Sequence, residues 1–342
     1  MQDRVTQKQV AAAAGVHSTT VSMVFRNHPS IPEETRHRIR ELARKMGYMH
    51  DPMLSALAAY RTSHRPVAFH GTMVWMTNSG EGFDWKASPH FLECYKGIVA
   101  RTKQHGYQVE EFDINEYRKN PKRLASIMHS RNIQGILLCP QPSAHTVIDL
   151  PWEHFSVVTF GYSLQAPKFN TVAFAFYRSI RLILERVYGL GYRRVGLALD
   201  PSDDARYDHN VMAGFLLYEF QRFGKLSIRP LVDNYRKNPK LLQTWLEKEK
   251  PDVIVCQDWR VGDLLKKLGY QPPIDIGLAC AGSPAGAEYL SGIQETSREL
   301  AATAVDLLAA MIQRGERGIP AKPQQILIDG DWVNGTTLRE NA

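Results

Sequence analysis

Two short helical stretches hinged on a single glycine constrain the start of this chain more than any other feature. Thr6-Gln7-Lys8-Gln9 has capping-box spacing, in which the threonine oxygen accepts from a free backbone N–H and Gln9 reaches back to the cap. A helix follows to Ala14 and stops at Gly15, which can take the positive φ of a tight turn. A second helix starts near His17 or Ser18, turns Val21, Val24 and Phe25 inward, and is broken by Asn27-His28-Pro29-Ser30. Pro32, in a first-turn position beside Glu33 and Glu34, opens a third helix. Ile39, Leu42, Ala43 and Met46 recur on one of its faces until Gly47 ends it. Two short helices about a glycine turn, braced by a third, make a helix-turn-helix; periodicity alone also allows a three-helix bundle with no ligand.

In a helix-turn-helix the N-terminal part of the second helix enters the major groove of DNA. That places Ser18, Thr19, Ser22 and Met23 near base edges, with Arg26 and Asn27 toward the helix end. The charge sits accordingly. The chain carries a net +7, and residues 1–65 hold ten Lys/Arg against five Asp/Glu, so most of the excess lies where a phosphate backbone would attract it.

The run from Val5 to Phe25, VTQKQVAAAAGVHSTTVSMVF, resembles position by position the headpiece of the lactose/galactose-repressor (LacI/GalR) family, whose motif reads V-T-x-x-x-V-A-x-x-A-G-V-S-x-x-T-V-S-R-V. The resemblance implies a sequence-specific transcriptional regulator that binds a pseudo-palindromic operator as a homodimer. The DNA-binding set it implies is Thr6, Gln7, Lys8, His17, Ser18, Thr19, Ser22, Met23, Arg26, Asn27, Thr35 and Leu57. Two departures matter. His17 stands where the family has Ser, and Met23 stands where it has an Arg that touches bases. Losing that guanidinium removes a bidentate donor to guanine, so the preferred operator should differ from the usual half-site.

Asp51 suits an N-cap and Pro52 a first helical position, giving a short helix from Pro52 to about Arg61. It is apolar on more than one face and too short to stand alone in water. The resemblance implies that it pairs with its mate across the dimer and drives Leu57, flanked by Ala56 and Ala58, into the minor groove as a wedge. Packing of Leu54 and Leu57 on the next domain is the alternative, and His50-Asp51 replaces the family's Pro-Asn at this point. The expected organisation is a DNA-binding headpiece at 1–50, a hinge helix and linker at 51–66, and a two-lobed effector-binding and dimerisation domain at 67–342.

From Val67 onward, apolar runs (Gly71–Met76, Gly135–Cys139, Ser156–Phe160, Val195–Leu199, Val253–Cys256, Ile276–Ala281) alternate with helical stretches such as Phe91–His105, Ser179–Gly189 and Ser297–Arg314. That alternation predicts an α/β architecture of parallel sheets flanked by helices. The hexapeptide YRKNPK also occurs twice, at Tyr117 and Tyr235, each time ahead of an apolar run ending in Cys139 or Cys256. Two lobes of like architecture explain the echo, with the hexapeptides read as surface turns. Gly189-Leu-Gly-Tyr-Arg-Arg-Val-Gly, Tyr289-Leu-Ser-Gly-Ile-Gln-Glu and the tail from Ile326 extend the family resemblance over nearly the whole chain. They imply a periplasmic-binding-protein-like sensor.

The family's sugar-binding pattern is missing. Val211 stands where a cleft Arg is found three residues before a helix glycine, Gly282 where an Asp is found, and Ala175-Phe176 where an Asp-Asn pair precedes the central helix. Gln257-Asp258, followed by Trp259, half keeps an Asn-Asp pair. The expected effector is therefore a small molecule other than a standard hexose. Its candidate contacts are Asn78, Phe83, Trp85, His90, Phe91, Tyr162, Asn210, Gln257, Asp258 and Trp259, a set of aromatics and polar groups suited to a stacked ring. A degenerate cleft in a constitutive or protein-coregulated DNA-binding protein is the alternative, and a ligand receptor with no DNA role a more remote one.

No catalytic, cofactor or metal constellation emerges. Gly282-Ser-Pro-Ala-Gly286 is not a nucleophile elbow, and there is no Walker loop, HExxH or dinucleotide fingerprint. Asp203-Asp204 and Asp329-Gly-Asp331 read as turn residues, and the headpiece histidines His17, His28, His37 and His50 as surface residues. The four cysteines form no CxxC pair and read as reduced, buried and apolar in behaviour. No apolar run approaches a membrane span and the start lacks a secretory core, so the expectation is a cytoplasmic protein with no membrane partner, no cofactor and no enzymatic activity.

Overall fold

The computed structural model describes residues 5–25, 30–48, 71–79, 84–117 and 120–340. The expected helix break at 27–29, the hinge helix with Leu57, and Arg26, Asn27 and Phe83 lie outside the described residues, as does the side chain of Ser22.

Three helices form the headpiece: α1 (Gln7–Ala14), α2 (Ser18–Phe25) and α3 (Glu33–Lys45). The capping box is made, with Thr6 N donating to Gln9 Oε1 at 2.7 Å and Gln9 N to Thr6 Oγ1 at 3.4 Å. Gly15 takes φ 67° and ends α1. Val10, Val21, Val24 and Ile39 are fully buried in one small core. Pro32 caps α3 from outside it, because its extended ψ of 146° leaves the first turn to Glu33 and Glu34. Arginines of α3 reach the C-terminal carbonyls of the other two helices: Arg38 Nη1 donates to Ala14 O and Arg40 Nη2 to Val24 O, each at 3.3 Å. Cations at helix C-termini are favourable against the helix dipole, so these bonds brace the unit electrostatically as well as sterically.

The rest of the chain runs through β1 (Gly71–Thr77), β2 (Tyr107–Asp113), β3 (Ile133–Leu138), β4 (Thr146–Val147), β5 (Ser156–Phe160), β6 (Leu164–Ala166) and β7 (Asn170–Phe174). It continues through β8 (Val195–Leu199), β9 (Leu231–Val232), β10 (Val253–Cys256), β11 (Gly277–Ser283), β12 (Ser291–Gln294), β13 (Gln325–Ile328) and β14 (Asp331–Val333). The helices between them are α4 (Pro89–Gln104), α5 (Pro121–Ser130), α6 (Phe176–Gly189), α7 (Pro201–Arg206), α8 (Asn210–Phe223), α9 (Pro239–Glu249), α10 (Val261–Lys267) and α11 (Ser297–Arg314).

Among the described residues two six-stranded sheets result, ordered β2-β1-β3-β5-β7-β13 and β9-β8-β10-β11-β12-β14, with β4 and β6 as a separate pair. All pairings are parallel except β12 with β14. Parallel strands need crossover helices, which cover both sheet faces, and this is why β1, β5, β8, β10 and β11 are buried along their whole length. In the first lobe Met73, Trp75 and Leu137 pack under α4 and α11, while Val74 and Ile136 face Leu124 and Met128 of α5. The second lobe repeats the plan, with α6 and α8 on one face and α9 and α10 on the other.

Among the described residues the chain crosses between the lobes three times: at Ala175 between β7 and α6, at Glu295-Thr296 between β12 and α11, and at Asp329-Gly330 between β13 and β14. The Asp329-Gly-Asp331 turn is thus the third crossing.

The repeated hexapeptide marks equivalent places. Asn120 and Asn238 cap α5 and α9, each with proline first in the helix, and each helix leads to the third strand of its lobe. The reading of both as surface turns is corrected at the second copy, where Tyr235 is 1% exposed and Arg236 is held by three carboxylates. Asp203 and Asp204 likewise sit in α7 rather than in a turn, because Asp200 caps that helix through Ser202 N at 2.9 Å. All four cysteines are buried and free. No helix among the described residues is long and apolar enough to cross a membrane, and no group of His, Cys, Asp and Glu among them could hold a metal ion.

Candidate functional site

On the headpiece, the sequence of α1 and α2 fixes how the second helix is presented. Gln7 Nε2 donates to Ser18 O at 2.7 Å, so this side chain ties α1 to the first turn of α2. His17 precedes α2, and its Nδ1 lies 3.4 Å from Thr19 N and 3.0 Å from Thr19 Oγ1. The imidazole nitrogen thereby accepts from an orphan N–H of the first turn, the role a serine oxygen fills at an N-cap. Thr6, Lys8, Thr19 and Met23 are exposed, Ser18 and Thr35 half-buried. Met23 projects a large apolar side chain, 37% exposed, from the outer face of α2.

Between the lobes, at the carboxyl ends of the strands, lies a cavity of about 590 Å³. Open α/β sheets hold ligands at this place because the strand ends and the loops after them diverge there. Of the residues expected from the sequence, His90, Phe91, Tyr162, Gln257, Asp258 and Trp259 line it. Trp85, Asn78 and Asn210 do not. Trp85 is 5% exposed and packs edge-on to Trp75 at 5.9 Å, so its ring serves the core. Asn78 donates to Gln141 Oε1 at 2.8 Å and accepts from Asn115 at 3.0 Å, which consumes its amide inside the first lobe. Asn210 is turned back onto Tyr207 O at 2.7 Å.

The sequence reading missed Phe176, Arg206, Tyr207, Arg236 and Glu295, all of which line the cavity. One signal was available: the second YRKNPK copy contains Arg236. That guanidinium lies 2.7 Å from Asp203, 2.9 Å from Asp200 and 3.7 Å from Asp258. Asp200 is buried, which opposes its ionisation, but Ser202 and Arg236 outweigh this and hold its carboxyl below the ordinary value. For Asp203 the balance is reversed, and burial pushes its carboxyl up despite Arg236 and Arg206.

Glu295, at the second crossing, joins the lobes. Its Oε2 is 3.0 Å from Nδ1 of His90 on α4, an ion-pair distance at an angle poor for hydrogen bonding. Burial alone would lower the His90 pKa, but the Glu295 carboxylate overrides it and the value is raised. Gln257 Nε2 is 3.4 Å from Glu295 Oε1, and Gln257 Oε1 is buried without a partner. Tyr162 donates to Phe174 O at 2.9 Å, and burial raises its hydroxyl to about 12.

The positions that depart from the sugar-binding pattern have definite surroundings. Val211 is fully buried in the second lobe's core, and Phe176 adds an aromatic wall to the cavity. A Cβ on Gly282 would stand 2.5 Å from Glu295 Oε1 and 2.6 Å from Gln257 Nε2, so these side chains occupy the space a larger residue would claim.

Residues 6–51 match the family model described as bacterial regulatory proteins, lacI family. The headpiece belongs to the lacI family. The lacI-family likeness continues past it in curated relatives. The HTH-type transcriptional regulator TreR of Salmonella typhimurium is 24% identical over 204 residues, covering 60% of this chain and 59% of that protein. The HTH-type transcriptional repressor CytR of Escherichia coli is 25% identical over 238 residues, covering 61% and 65%. The chain thus matches less than two thirds of the length of either, and both are transcription regulators rather than enzymes. Among solved structures, the transcriptional regulator CelR–cellobiose complex superposes with a TM-score of 0.61 at 17% identity, covering 98% of this chain and all of that one. The lac repressor dimer bound to operator and the anti-inducer ONPF gives 0.57 at 18% identity, over 98% and 100%. These likenesses identify the fold: a lacI-type headpiece carried with a two-lobed, periplasmic-binding-protein-like domain.

Proposed function

We propose that the protein is a sequence-specific, DNA-binding transcriptional regulator acting as a homodimer in the cytoplasm, with operator affinity set by a small molecule in the interlobe cavity. The observation that carries this is the exposed face of α2, with Thr19 and Met23 presented outward from a helix pinned by Gln7 and capped by His17, within the segment that matches the lacI family. The named relatives are regulators, one solved relative is a dimer on its operator, and another holds cellobiose.

In the proposed mechanism, two headpieces occupy half-sites of a pseudo-palindrome. Lys and Arg side chains hold the phosphates, the first turns of α2 read bases, and Leu57 of the hinge wedges the centre. An effector that binds the two lobe arrangements unequally shifts operator affinity by a coupling free energy of typically about 1–3 kcal/mol. The domain boundaries at 50 and 66 belong to this reading. No part of it requires chemistry on a substrate.

Selection of bound duplexes from a random DNA pool, followed by a salt titration on the enriched sequence, tests it. A palindrome with steep salt dependence is the expected result. Weak binding with no enriched sequence would overturn it.

A further inference from the structure

We propose that the interlobe cavity takes a small organic cation, an amine on an apolar or aromatic skeleton, with its ammonium facing Glu295 and Gln257. This rests on the reading of the cavity as the effector site and names the chemistry that site selects.

Charge balance comes first. Among the described residues, the lining holds four carboxylates (Asp84, Asp203, Asp258 and Glu295) against three guanidinium groups and one imidazole, His90, which already lies 3.0 Å from Glu295 Oε2. Every one of those guanidinium groups already faces an acceptor. Arg236 is shared by Asp203, Asp200 and Asp258, and Arg260 Nε lies 2.8 Å from Asp258. Arg206 Nε donates to Gln141 O at 3.1 Å. An anionic ligand would have to break these pairs, and nothing else in the lining is a permanent cation.

The unmet hydrogen-bonding capacity points the same way. Gln257 is 7% exposed and its Oε1 has no donor. The adjacent Glu295 Oε1 has only the long 3.4 Å contact to Gln257 Nε2. Both want an N–H. A polyol needs donors as well as acceptors from its site, and here the guanidinium groups are committed and the Tyr162 hydroxyl is spent on Phe174 O, so a polyol would have to rely on uncharged donors such as Ser88, Ser297 and Trp259. The remaining walls are aromatic: Phe91, Tyr162, Phe174, Phe176, Tyr207 and Trp259. Aromatic faces beside a carboxylate attract a desolvated cation through the ring quadrupole while accommodating its apolar skeleton.

Titration calorimetry on the full chain tests the assignment, with phenethylamine, tryptamine and cyclohexylamine as probes and phenylacetate and cellobiose as controls. The expected result is saturable binding of at least one amine, with both controls weaker by about tenfold or more. Glu295→Gln should weaken that amine by about tenfold, the scale of one charge-assisted hydrogen bond. Trp259→Leu, which leaves every carboxylate in place, should weaken it as well, and thermal melts of both variants establish that they fold. No binding by any of the three amines, tighter binding of either control, or indifference of the amine to both substitutions would each overturn the proposal. Operator binding measured on the same preparations separates the two readings. A protein that binds its operator and no amine remains a regulator with a different effector class, whereas one that binds the amine but no DNA loses the regulatory reading alone.

Discussion

Glu295 Oε1 lies 2.5 Å from the point where a Cβ on Gly282 would stand. A glycine on β11 therefore makes room for a carboxylate delivered from the crossing between β12 and α11. The clashing atoms are the far ends of two flexible side chains, Glu295 and Gln257, rather than backbone. Gly282→Ala should accordingly shift Tm by no more than about 2 °C. It should nonetheless disturb the polar floor of the cavity, so ligand affinity should fall while the melt barely moves. A large loss of Tm would show that the space beside Gly282 is part of the rigid core instead.

Met23 offers a test of DNA recognition. It is exposed on α2, where the matching family places an arginine. Met23→Arg restores a fork of donors for guanine O6 and N7 and should gain about 1–3 kcal/mol for a guanine at the contacted position. Selected operators for the two proteins should differ at one symmetric pair of positions. Identical selected sequences would remove Met23 from the interface.

His17 makes a local prediction. With Thr19 N at 3.4 Å from Nδ1, the imidazole satisfies an N–H that the helix cannot. His17→Ala should cost about 1 kcal/mol of headpiece stability, seen as faster amide exchange along α2, and His17→Ser should recover most of it. Equal exchange in all three proteins would show that the cap contributes nothing.

Gly196 on β8 is a packing constraint. A Cβ there would stand 2.4 Å from Trp245 Cη2 and 3.1 Å from Pro251 Cβ. The indole is itself fixed by Nε1 donating to Arg229 O at 2.8 Å, so it cannot swing away cheaply. Gly196→Ala should destabilise the second lobe by about 1–3 kcal/mol in urea denaturation. Unchanged unfolding would mean that Trp245 relaxes freely.

The carboxylates around Arg236 predict a pH dependence whose sign can be worked out. Asp200 is held below its ordinary value when folded, whereas the unfolded carboxyl titrates near about 3.9. Its contribution is complete above the unfolded value and is lost as pH falls through the folded one. Asp203 is raised, so it binds its proton more tightly folded than unfolded and opposes stability as pH rises through its folded value. Between pH 5 and pH 2, Asp200→Asn should flatten the acid decline of Tm, and Asp203→Asn should leave it at least as steep. Parallel profiles for both variants would remove Asp200 from acid unfolding.

Local chemistry carried a large part of this structure. The capping box at Thr6 and Gln9 and the positive φ at Gly15 depend on neighbours a few residues away, and the burial of Val10, Val21, Val24 and Ile39 follows from helical periodicity, so the headpiece could be read directly. The same holds for the parallel sheets, because strands buried on both faces appear as continuous apolar runs between helical periods. The doubled hexapeptide announced the two lobes for a related reason: it starts the equivalent helix in each.

The membership of the cavity was decided only by tertiary structure. Trp85, Asn78 and Asn210 have the chemistry of ligand contacts, yet a neighbouring indole, two amides and one carbonyl claim them. Arg236 and Glu295 come from a turn and from a lobe crossing: Arg236 meets Asp203 and Asp258 where the carboxyl ends of β8, β9 and β10 converge within the second lobe, and Glu295 meets Gln257 beside it and His90 across the cleft. Sequence patterns report which side chains are buried and in what local geometry. Which partners they find across tens to hundreds of residues of chain depends on the strand order of each sheet and on the crossings at Ala175, Glu295 and Asp329, and those contacts leave no periodic trace in the order of the amino acids.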